Sequence, residues 1–177
     1  MLVRISLVLV VAAFFGRPAA AQQISKPTVP GAANFARLET TVACGGATTP
    51  EAVPEIKKMG FASIINLRLP TEAGANVDGE AAAAKTAGIK FYSIPFSGQS
   101  PDPAVADKFL ATITAPGNEP AYIHCAAGNR AGAMWMIKRL AVDHWDTERA
   151  YTEAAALGLT SPALKQFAID YAQSHKR

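Results

Sequence analysis

The sequence predicts an α/β fold, with a central, mostly parallel sheet flanked by helices. Three observations carry this. Short apolar runs bounded by turn residues, at 62–67 (ASIINL) and 121–123, have the length and flanks of buried strands. Segments with apolar residues at helical spacing stand between such runs, as with Val105, Phe109, Leu110 and Ile113. The two kinds alternate along the chain, the pattern of parallel strands joined by crossover helices.

The first residues have the parts of a secretory signal peptide. Arg4 gives a positive start, residues 5–15 form an apolar core too short to span a bilayer comfortably, and Ala19 and Ala21 make an A-x-A site before Gln22. The expectation is a signal peptide over 1–21, a loose Pro- and Gly-containing segment over 22–34, and a single domain over 35–177. Export to a bacterial periplasm or beyond follows from that reading.

Residues 35–46 read as one or two extended pieces. Pro50 and Glu51 open a helix with Thr49 as its cap, Ile56 and Met59 on its apolar face, and Gly60 as its stop. The strand at 62–67 delivers Arg68, Pro70 and Glu72 to its carboxyl end. An Ala-rich helix over 78–87 ends at Gly88. A strand at 90–94 and a loop at 95–101 follow, and Asp102 or Pro103 starts the next helix. After the strand at 121–123, a helix from Arg130 carries Met134, Trp135, Ile137, Leu140 and Ala141 at helical spacing. Asp146 caps a helix running to Leu157, Gly158 ends it, and Ser161 and Pro162 start the last helix, which reaches about Ser174.

Composition excludes several functions. The net charge of +3 includes Arg4 and Arg17, and falls to +1 without the leader. No basic patch or aromatic series points to nucleic acid, and no apolar segment beyond the leader points to a membrane. His124, His144 and His175 are scattered, with no zinc spacing to Cys44 or Cys125, so no metal or cofactor is expected. In an oxidising compartment the two cysteines raise the question of a Cys44–Cys125 disulfide, which requires Cα atoms within about 7 Å.

The chain is organised around residues 121–135, AYIHCAAGNRAGAMW: strand, cysteine, small-residue loop, arginine, helix. Small residues let the backbone amides of Ala126, Ala127, Gly128 and Asn129 converge, and the helix start points its positive dipole end the same way. An anion belongs there. Cys125 at its edge is favoured as thiolate, and Arg130 can hold two oxygens of a bound oxyanion. A nucleophile beside an anion cradle points to group transfer through a cysteine-linked intermediate. The side chain of His124 should point away from Cys125, as a supporting group. Ligands of open α/β sheets bind outside the carboxyl ends of the strands, where residues 68–72, 95–102 and the Cys125 loop all arrive.

HCAAGNRAG resembles the active-site loop of the cysteine-dependent phosphatases, the tyrosine and dual-specificity enzymes. GFASIINLRLPTEAG and GIKFYSIPF resemble a bacterial branch of that superfamily, the phosphatase-like domain found alone or joined to beta-lactamase-like hydrolases. The resemblance implies a phosphatase-like sheet and hydrolysis of a phosphomonoester, including phosphotyrosine, on a phosphorylated small molecule or protein. It implies Cys125 as nucleophile and an aspartate acid in the loop after YSIP. The matching positions are Gly98 and Gln99, so Asp102 is the nearest carboxylate and Glu72 a second candidate. Arg68 either binds a substrate anion or pairs with Glu72. Two departures stand out. Four residues rather than five separate cysteine and arginine, a spacing that resembles the rhodanese sulfurtransferases, and Ala131 replaces the usual Ser or Thr. A sulfurtransferase using a Cys125 persulfide and a non-catalytic anion-binding module are the alternatives.

Overall fold

The computed structural model describes residues 23–39 and 41–175; the signal-peptide reading falls outside them. Six strands form one sheet: β1 (Ile24–Ser25), β2 (Ala36–Leu38), β3 (Val42–Gly45), β4 (Ser63–Asn66), β5 (Lys90–Ser93) and β6 (Ala121–His124). The helices are α1 (Val53–Lys58), α2 (Val77–Ala87), α3 (Pro103–Ile113), α4 (Asn129–Ala141), α5 (Thr147–Ala156) and α6 (Pro162–Ser174). The strand order is β1-β2-β3-β6-β4-β5. β3, β6, β4 and β5 run parallel, and β1 and β2 add an antiparallel edge.

Burial on both faces explains why β4 and β6 read as near-continuous apolar runs. Leu38, Cys44, Ile65 and Ile123 face one core layer with residues of α3 to α6. Ala43, Ile64 and Tyr122 face a second layer with Val53, Ile56, Phe61 and Ala84. α4 is the spine of the larger layer, buried without interruption from Ala131 to Arg139. Gly132 is what lets α4 lie so close to the turn after α5. A Cβ at that position would stand 2.8 Å from the Leu159 backbone nitrogen, so a side chain would force the two apart.

Four helices start at a side-chain cap. Asn76, Asp102, Asp146 and Ser161 each accept a hydrogen bond from a first-turn amide. Thr49 makes no such bond, and Pro50–Ala52 winds as a 3-10 turn before α1. The expected loose segment over 22–34 is corrected for its described part. Ile24–Ser25 pairs with β2, Val29 and Ala32 are buried, and the backbone of Ala33 is bonded to both Ala47 and Gly46. Its lack of core periodicity reflects irregular backbone held by hydrogen bonds.

Candidate active site

Cys125 follows directly on β6, and its amide donates to the Gly45 carbonyl of the adjacent β3 at 3.2 Å. The loop then turns at Gly128, whose φ of +105° is costly for any residue with a Cβ. Two loop carbonyls are held outward. Ala126 O accepts the Ala47 amide at 2.9 Å, and Ala127 O accepts the side-chain amide of Asn34 at 3.3 Å. In a trans peptide the N–H points opposite to its carbonyl. The amides of Ala127 and Gly128 therefore face the concave side, and the Gly128 amide donates to Cys125 Sγ at 3.1 Å. Asn129 opens α4, and its Oδ1 accepts from Thr160 N (2.7 Å), Thr160 Oγ1 (3.0 Å) and Ser161 N (2.7 Å). Those bonds fix the helix start against the α5–α6 turn.

Arg130 is positioned from both neighbouring loops. Its guanidinium donates to Glu72 Oε1 at 2.5 Å and Oε2 at 2.8 Å, and to the carbonyls of Leu67 and Phe96. Burial works against its charge, but Glu72 and the Cys125 sulfur outweigh it and raise the Arg130 pKa. The hydrogen bonds from Arg130 hold the Glu72 carboxyl well down, at about 2. Glu72, a candidate acid in the sequence, is thus an ionised anchor for Arg130. Arg68 is buried and donates to Glu72 Oε2 (3.4 Å), Gly74 O (2.9 Å) and Ala73 O (2.6 Å). Of its two expected roles, the pairing with Glu72 is the one observed. Asp102 is exposed, and its Oδ1 accepts the Ala104 amide at 2.9 Å, the geometry of a helix cap.

His124 points to the opposite face of the sheet from Cys125, as alternation along a strand requires, and stacks on Tyr122. Its Nε2 lies 2.8 Å from Glu80 Oε2, close enough for ion pairing but not aligned as a hydrogen bond. Asn66 on β4 donates to both Glu80 oxygens at 3.2 Å and accepts the Arg68 amide at 2.7 Å. All three side chains are buried. This cluster braces the strand behind Cys125 and the start of the Arg68–Glu72 loop. Cys44 stands in register with Ile123, two residues before Cys125, and both thiols are free. Burial and the neighbouring Cys125 push the Cys44 thiol up, so it stays protonated. Among the described residues no group of His, Cys, Asp and Glu could hold a metal ion.

Sequence reasoning missed Asn34, Glu80 and Asn66. Asn34 alone left a signal, since asparagine is enriched at positive φ and here adopts +51°. If its side chain aims the loop, Asn34→Gly keeps the backbone conformation but releases the Ala127 carbonyl. Phosphomonoester turnover should fall about tenfold, with unchanged circular dichroism. Activity equal to wild type would remove Asn34 from the site.

A cysteine-bearing loop between a central parallel strand and a buried helix is the arrangement that the resemblance to the cysteine-dependent phosphatases implies. The chain belongs to the family described as DSP-PTPase phosphatase fused to NAD+ kinase, which matches residues 22–169. Among solved structures, it is similar to a DUF442 protein of Shewanella putrefaciens CN-32 described as a phosphatase, with TM-score 0.69 and 18% identity over 84% of this chain and 97% of that one. It is also similar to the catalytic core of the PP-IP phosphatase SIW14 of S. cerevisiae, with TM-score 0.65 and 21% identity over 81% and 88%. A third is a cysteine-to-serine variant of P. aeruginosa TpbA in complex with phosphotyrosine, with TM-score 0.59 and 16% identity over 89% and 90%. At these identities the likeness is one of fold. No curated protein matches the sequence.

Proposed function

We propose that this protein is an exported phosphatase that hydrolyses a phosphomonoester through a phosphoryl intermediate on Cys125. The observation that carries the reading is the Gly128 amide donating to the Cys125 sulfur at the start of α4, with the Arg130 charge acting on the same sulfur. An amide that donates to the sulfur can also donate to an oxygen of a phosphoryl group attached to it, and the Arg130 charge favours that anion. Export rests on the leader-like residues 1–21, and a phosphotyrosine-containing substrate is favoured by the ligand of the TpbA variant.

The four-residue spacing from Cys125 to Arg130 favours a second reading, sulfur transfer through a Cys125 persulfide. Assays of p-nitrophenyl phosphate and thiosulfate on wild type and Cys125→Ser separate the two. Wild type is expected to hydrolyse the phosphate ester, and Cys125→Ser to lose at least about 10³-fold. Thiosulfate turnover without ester hydrolysis would establish the second reading, and neither activity would leave an anion-binding module.

A further inference from the structure

A phosphate ester with a basic leaving oxygen needs a proton as its P–O bond breaks. Glu72 and Asp102 are the carboxylates in the loops at 67–76, 94–102, 125–128 and 157–161. Glu72 is ionised and bound by two arginines. Asp102 faces solvent and caps α3. His124 lies on the other side of the sheet with Glu80. Where the β5–α3 loop passes over Arg130 there is a glycine. A Cβ on Gly98 would stand 3.5 Å from Arg130 Cγ and 3.6 Å from Cδ, ordinary contact distances. Its neighbours supply no acid either, since Ser97 Oγ accepts the Ser100 amide at 3.2 Å.

From this we infer that the site takes phosphoryl groups from leaving groups that depart as anions without a proton, namely aryl phosphates and phosphoric anhydrides, and discriminates against alkyl phosphates. Gly98 stands where a proton donor would act. The inference rests on the phosphatase reading above. In the first step the Cys125 thiolate forms an S–P bond while the P–O bond breaks, and its electron pair leaves with the aryloxide, carboxylate or phosphate. In the second, water attacks phosphorus and the S–P pair returns to sulfur, giving thiolate and dihydrogen phosphate. Neither step draws a proton from a side chain.

The test compares p-nitrophenyl phosphate, acetyl phosphate and glycerol 2-phosphate on wild type, Asp102→Asn and Gly98→Asp. A positioned acid contributes about 10²–10⁴-fold. Wild type should therefore turn over the alkyl ester at least about 10²-fold more slowly than the other two. Asp102→Asn should leave the alkyl-to-aryl ratio unchanged. A Cβ at Gly98 meets only ordinary contacts, so Gly98→Asp should raise that ratio at least about tenfold. Alkyl and aryl esters turned over at similar rates, a collapse of the ratio in Asp102→Asn, or an unchanged ratio in folded Gly98→Asp would overturn the inference. Failure of every substrate would instead overturn the phosphatase reading itself.

Discussion

Replacing Glu72 with glutamine should lower phosphomonoester turnover by about 10²-fold and make the protein less stable. Arg130 is held end-on by both Glu72 oxygens, which fixes the plane of the guanidinium relative to Cys125. Glutamine keeps the size but loses the charge and presents an NH₂ group to a guanidinium. Losing hydrogen bonds to a charged group costs about 1.5–3 kcal/mol, which for a chain of this size lowers the melting temperature by several degrees. The effect should depend on pH. The Glu72 pKa is about 2 in the folded protein, against about 4.3 when unfolded. A depressed carboxyl stabilises the fold above the unfolded value, and the contribution fades as pH falls toward the folded one. The gap in melting temperature between wild type and Glu72→Gln should thus be full at pH 6 and narrow from about pH 4 downward. A gap independent of pH would assign the loss to packing rather than to the ion pair.

A large loss of stability is also expected from Glu80→Leu. Glu80 is fully buried against His124 and Asn66. Leucine fills the space but leaves the Asn66 amide without its acceptor inside the core and removes the carboxyl group beside His124. Leaving a buried polar group unsatisfied costs about 1–3 kcal/mol, and the loss of packing around a changed core side chain adds to it. Urea unfolding should show this as a lower midpoint at unchanged slope, and Glu80→Gln, which retains an acceptor oxygen, should recover part of the difference. Because His124 adjoins Cys125, residual Glu80→Leu activity should also fall. A midpoint close to wild type would mean that the cluster is dispensable to the fold.

The strand–cysteine–loop–arginine–helix order was legible because each part depends on neighbours in the chain. The apolar run of β6, the small residues after Cys125 and the helical spacing from Arg130 are local patterns, and the sheet followed from their repetition. What stayed hidden is what the tertiary structure brings together. Glu72 reads as a solvated loop carboxylate until Arg130, 58 residues later, is laid over it. Glu80 reads as the polar face of an Ala-rich helix, and only the position of α2 against β4 and β6 buries it. Asn34 sits in a segment without periodicity, and its partner is 93 residues away. The acid question was legible in outline, since Gly98 and Gln99 occupy the expected positions and Asp102 stands at a helix start before Pro103, where the geometry shows it engaged as a cap.

The bonds from Ala47 and Asn34 to the loop carbonyls have a kinetic meaning. Contacts between residues so far apart form only after a long loop has been closed, and that entropy must be met before they return anything. The β3–β6 pairing meets it, bringing residue 47 beside residue 126 as the sheet assembles. The Cys125 loop is thus completed late in folding, when the N-terminal strap, residues 23–34, settles on a sheet already built. The same order runs in reverse during breathing of the native protein. β1 is a two-residue edge strand, so the strap should open at lower free energy than the core around α4. Each such excursion would free Ala127 while Trp135 remains packed, so the molecule would pass in and out of a catalytically competent state without unfolding.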